Sequence, residues 1–138
     1  MEQSTELIDL TRRSYEALSS GDIAFFERHV SQDEGVLAIG TDPNEWWSEY
    51  ATIIRVFKIQ LEEMGPLSID VGTLNAYSDG NVGWAAGRLT LRLADGTAVP
   101  LRVTSVYQRQ QGDWKIVQWH GSAGVPNADV IGKDLTTE

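Results

Sequence analysis

The sequence contains no cysteine, and that single absence removes disulfides, thiol nucleophiles and cysteine-based metal sites together. It also fits a reducing compartment. Histidine is nearly absent as well: His29 and His120 are the only two, too few without cysteine to suggest a metal centre. Positive charge is scarce, with 11 Lys and Arg against 20 Asp and Glu and a net charge of −9. Arg12 and Arg13 adjoin and the other bases are scattered singly. A surface this acidic repels phosphate backbones and anionic headgroups, so neither nucleic acid nor a membrane is an expected partner. No apolar run approaches the roughly 20 residues of a spanning helix. The opening "MEQSTELIDL" has neither the basic nor the apolar segment of a signal peptide, and a cytoplasmic location is expected. The glycines of "GNVGWAAG" fall in a hairpin and strand, not at a strand-to-helix turn, so no phosphate loop, dinucleotide fingerprint or cofactor is expected.

What is present is an ordinary globular composition over 138 residues, enough for one domain spanning 1–138. Helical spacing places Leu7, Leu10, Ser14, Ala17 and Leu18 on one face of a first helix, with Ser4 as its N-cap and Gly21 as its stop. Asp22 can cap a second helix whose Ile23, Phe26 and Val30 face inward, and His29 stands where its last carbonyls need capping. The apolar run "GVLAIG" has strand character. Asp42 and Glu45, with Pro43 between them, spell a capping box for a third helix. Ser48 is a rival start one turn later, and Ile53, Ile54, Phe57, Leu61 and Met64 form the stripe. From residue 67 the pattern changes to strands parted by "SDGN", "ADGT" and "QGD", so successive hairpins imply an antiparallel meander. Helices first and strands last predict an α+β fold with the helices on one sheet face. An ordered core of about 5–122 is expected. Residues 123–138 carry no period and read as an extended C-terminal arm.

Three helical segments, a four-strand meander, "IGTDPNEWW" and the closing "WKIVQWHGSAGVP" together resemble the SnoaL-like branch of the nuclear-transport-factor-two-like superfamily, over residues 5–127. The closing strand is similar to that of the calcium/calmodulin-dependent protein kinase type II association domain. The resemblance implies a cone-shaped, cystatin-like roll: a strongly curved antiparallel sheet wraps a helix around an apolar pocket. It implies a homodimer through the outer sheet face. It does not fix the chemistry, since members include polyketide cyclases, an isomerase, dehydratases, an epoxide hydrolase and modules that only bind or assemble.

His120 is therefore open to two readings. Near-neutral titration suits a general base, and Tyr107 is the other candidate for proton transfer. The kinase-domain resemblance instead turns Trp119 and Gly121 into the pocket and His120 away. Arg88 matches a pocket-lining arginine that binds small carboxylates there, while Ser105 and Gly121 occupy the positions of that site's other two arginines. Leu89, Leu91 and Leu93 argue the other way, because strict alternation would turn Arg88 outward unless Gly87 hosts a bulge. Trp84, Trp119 and one of Trp46 and Trp47 are candidate aromatic walls, and Trp114 reads as core. Asp70 is expected on the surface. Three functions follow as expectations: a pocket binding a small, weakly polar or carboxylate-bearing ligand, an acid–base enzyme, or an assembly module with a vestigial pocket.

Overall fold

Ser4 opens the first helix as its spacing predicts, its hydroxyl accepting from the Leu7 N–H at 3.1 Å, while Gly21 closes it in the left-handed conformation at φ 70°. The computed structural model describes all of residues 1–138. In chain order the elements are β1 (Glu2–Gln3), α1 (Thr5–Ser20), α2 (Ile23–His29), β2 (Leu37–Ile39), β3 (Trp46–Trp47), α3 (Tyr50–Met64), β4 (Leu67–Asp79), β5 (Val82–Leu93), β6 (Ala98–Gln110), β7 (Asp113–Ser122) and α4 (Asn127–Ile131). The fold class is α+β, with helices packed on one face of a seven-stranded sheet ordered β1-β4-β5-β6-β7-β2-β3. Leu7, Leu10 and Tyr15 of α1, Phe26 of α2 and Ile53 and Phe57 of α3 form the core with Ala85, Leu89, Val103, Tyr107 and Trp119 of the sheet.

The sheet departs from the expected meander in one respect. β2 runs parallel to β7, pairing Ala38 with Trp119, so the sheet is mixed and not purely antiparallel. The physical reason is connectivity. β2 lies before α3 in the chain and returns beside β7 only through the long crossover that a parallel pair requires.

A second departure concerns "TDPNEWW". Asp42 and Glu45 make one half of a capping box: the Asp42 N–H donates to Glu45 Oε1 at 2.9 Å, while the Glu45 N–H donates to the Asp42 backbone carbonyl and the Asp42 side chain accepts from the Asn44 N–H instead, each at 2.9 Å. Yet they close a turn between β2 and β3 and start no helix. Trp46 and Trp47 are strand residues, paired with Ile39 and Ala38, and α3 begins at Tyr50. The tail also differs. Asn127–Ile131 forms a short exposed helix ended by Gly132, where no period was legible.

Two bulges set which side chains face the core. In β4 the register shifts between Val71 and Leu74, leaving Gly72 and Thr73 opposite the single residue Arg88. In β7 it shifts at Val117, where Val106 pairs with Gln118 and Tyr107 pairs with Ile116. Ile116 and Trp119, three residues apart, are therefore both buried inward. Trp114 is buried too, with the Arg109 guanidinium 4.3 Å above its ring.

Candidate functional site

Residue Leu89 is the starting point. It is 3% exposed and points at the helices, and Leu91 follows it on the same face of β5. Leu101 and Val103 of β6 and Trp119 and Gly121 of β7 extend that face, because each lies on the inner register of its pair. Opposite them, α3 contributes Phe57, Gln60, Leu61 and Met64, and the β2–β3 hairpin contributes Thr41, Glu45 and Trp47. The space between them is about 180 Å³ and open on one side, and 12 of its 17 lining residues are hydrophobic. Aromatic edges meet around it: Phe57 packs edge-on against Trp47 and Trp119, each at 6.4 Å between centroids.

The polar groups of this cavity collect at one end. Glu45 Oε2 accepts from the side-chain amide of Gln60, and its Oε1 accepts from the Asp42 N–H. Gly40 lies directly against this carboxylate, and a Cβ at position 40 would stand 2.8 Å from Glu45 Cδ. The backbone of Gly40 is not in the left-handed region, so it is space for the carboxylate that excludes a side chain here.

The sequence candidates divide sharply. Trp119 and Trp47 line the cavity. Arg88 does not. It is exposed on the outer face, directly opposite Arg102, because β5 keeps its alternation and the bulge sits in β4 instead of at Gly87. Leu89 and Leu91, on the opposite face of β5 from Arg88, form the cavity wall. Trp84 also points outward, stacked on Tyr77 at 5.2 Å, and Trp46 is 65% exposed; neither reaches the cavity. His120 is half-buried on the outer side, opposite Thr104. As a proton-transfer group for this cavity it is on the wrong face. Tyr107 is fully buried behind the cavity, its hydroxyl 2.7 Å from Thr11 Oγ1, and burial pushes its pKa up. Ser105 is buried beside it, and its hydroxyl has no protein partner. Neither Tyr107 nor Ser105 is in reach of a ligand. Asp70 is exposed and pairs with Arg92.

The charged side chain that lines this cavity is thus Glu45 and not Arg88. The signal in the sequence was the Asp42–Glu45 spacing itself, which dictates the hydrogen bonds but not whether a helix follows. No three His, Asp or Glu side chains converge as a metal ion would need. The second histidine, His29, ends α2 but does not cap it, since Lys115 Nζ takes the Arg28 carbonyl and the Tyr50 hydroxyl takes that of Glu27. His29 instead lies against Phe25, 4.3 Å between centroids. Burial, then Arg13, Arg28 and Lys115, hold its pKa down at about 4, with Asp113 opposing weakly. No helix is long and apolar enough to cross a membrane.

Comparison with known proteins supports the architecture. The family model described as "SnoaL-like domain" matches residues 8–126. No protein of curated function matches the sequence. An NTF2-like protein of unknown function from Pseudomonas putida superimposes with a TM-score of 0.81 at 19% identity, covering 99% of both chains. A protein from Streptomyces avermitilis, provisionally described as a dehydratase of the NTF2-like family, gives 0.74 at 15% identity over 84% of this chain and 91% of its own. A protein from Xanthomonas campestris, provisionally described as a calcium/calmodulin-dependent protein kinase II association domain, gives 0.69 at 21% identity, covering 88% and 87%. Identities this low carry the fold and not the activity.

Proposed function

The chain belongs to the SnoaL-like family, and from that premise we propose that it binds a small, weakly polar molecule in the cavity between α3 and the inner sheet face. The carrying observation is an apolar, aromatic-walled cavity that side chains leave unfilled. For scale, an apolar cavity of about 150 Å³ accommodates benzene. The space here, about 180 Å³, suits a single ring with one or two substituents. A carboxylate ligand is disfavoured, because Arg88 is on the far face and the one ionic group at the cavity is itself a carboxylate, Glu45. The proposal includes a twofold homodimer through the outer sheet face.

Gly121 supplies the test. It lines the cavity, and a Cβ built there meets no atom within 4 Å. Gly121→Leu should therefore fold and fill the cavity from the β7 side. The wild type should show toluene-induced quenching or enhancement of tryptophan fluorescence, since Trp47 and Trp119 are in the walls, and a raised Tm. Gly121→Leu should lose both while keeping the wild-type circular dichroism. Binding that survives in Gly121→Leu places the ligand elsewhere.

A second reading, an acid–base enzyme, now rests on Glu45. A carboxylate beside an apolar cavity is the group that proton abstraction from a bound ring substituent requires. Turnover that disappears in Glu45→Gln with binding retained would favour this reading over simple binding.

A further inference from the structure

Two features of the cavity remain unexplained by apolar binding alone. One side chain, Glu45, brings a carboxylate to a wall otherwise made largely of Leu, Phe and Trp, and the fold fixes it from three directions. The Asp42 N–H holds Oε1, the Gln60 amide holds Oε2, and the absence of a side chain at Gly40 leaves the space that the group occupies. The donors come from different elements, a turn and α3, so the carboxylate's position is coupled to the packing of α3 on the hairpin. A carboxylate needed only to close the β2–β3 turn requires the Asp42 bond alone. The Gln60 bond orients it at the cavity wall instead.

We infer that Glu45 sets the ligand's polarity: the molecule bound carries a hydrogen-bond donor, a hydroxyl or an ammonium, directed at the Glu45 carboxylate while its ring fills the apolar space. This rests on the binding reading above and narrows it. The chemistry runs one way. An ionised carboxylate only accepts, so it rewards a donor, gives nothing to a bare hydrocarbon and repels an anion. Ligand anions are further disfavoured by the net charge of −9. The Gln60 amide spends one of its two N–H donors on Glu45.

Three ligands matched in ring size test the inference on the wild-type protein: toluene, benzyl alcohol and benzoate, followed by tryptophan fluorescence and calorimetry. Benzyl alcohol should bind about tenfold more tightly than toluene, the effect of one hydrogen bond to a charged group. Benzoate should be the weakest of the three. In Glu45→Ala the preference for the alcohol should vanish while toluene affinity holds or rises. Because Glu45 also closes the turn, Gln60→Leu serves as a second variant: it leaves the Asp42 bond intact, frees the carboxylate to swing and should shrink the preference severalfold. Equal binding of toluene and benzyl alcohol by the wild type overturns this inference and leaves the binding reading standing, whereas benzoate binding best overturns this inference and the exclusion of carboxylate ligands with it. No binding of any of the three overturns both.

Discussion

His29 concentrates an unusual amount of positive charge around one imidazole. Burial opposes its protonation most, Arg13 of α1, Arg28 beside it on α2 and Lys115 of β7 add to that, and only Asp113 favours it. Its pKa in the folded chain is about 4, against an ordinary 6.5. The folded state therefore binds fewer protons than the unfolded chain between these values. Its contribution to stability is present in full above pH 6.5 and is lost as the pH falls toward 4. His29→Gln should remove that component. The difference between wild-type and variant stability, measured by urea denaturation at several pH values, should narrow on acidification through this window and level off below it. A difference independent of pH would show that the imidazole is solvated as in the unfolded chain. At this scale the sequence was a mixed guide. The two histidines stood out at once, but neither serves the cavity, because what surrounds a side chain is decided by elements far away in the chain.

The facing of Arg88 was legible from its neighbours Leu89 and Leu91, whose alternation β5 preserves. The facing of Ile116 relative to His120 was not, because the bulge at Val117 shifts the period between them and no residue type announces it. Likewise Asp42 and Glu45 fix their hydrogen bonds locally, whereas the two-residue strand that follows depends on β2 being there to pair. The contact of α1 with β5 is a further case that only the assembled fold reveals. Gly87 takes the place of a side chain where the Tyr15 hydroxyl approaches, and a Cβ there would stand 3.2 Å from Tyr15 Cζ and closer still to the oxygen. That hydroxyl is buried with no partner. Gly87→Ala should therefore cost about 1–3 kcal/mol by overpacking. Tyr15→Phe, which deletes an unsatisfied group, should be close to neutral. In the double variant most of the Gly87→Ala cost should return, read as a coupling energy in a double-mutant cycle. Additive costs would mean that α1 does not press on β5 at this point.

For the whole molecule, the fold class was readable because helices precede strands and each strand ends at a strong turn signal. The mixed sheet was not, since parallel pairing of β2 with β7 joins segments some eighty positions apart. The outer sheet face bears on the proposed homodimer. It carries the Tyr77–Trp84 stack, Val82 at 49% exposure, and Arg88 directly opposite Arg102 with no carboxylate in salt-bridge contact with either. Like charges facing each other across a strand pair are destabilising, and exposed aromatics add to the reasons for a cover. Sedimentation at micromolar concentration should give a dimer, and Trp84→Glu should give a folded monomer. A monomeric wild type would remove the dimer from the reading.

The parallel strand has a kinetic consequence. β4 to β7 are joined by short hairpins and can zip together from local contacts, whereas β2 has only the two-residue β3 to pair with until β7, the last strand in the chain, is in place. Loop closure over that span is slow to be rewarded. The hairpin carrying Glu45 and Trp47 is therefore expected to dock late in folding, on a sheet already formed. That hairpin is also one wall of the cavity, so its separation from β7 would open the space beneath it.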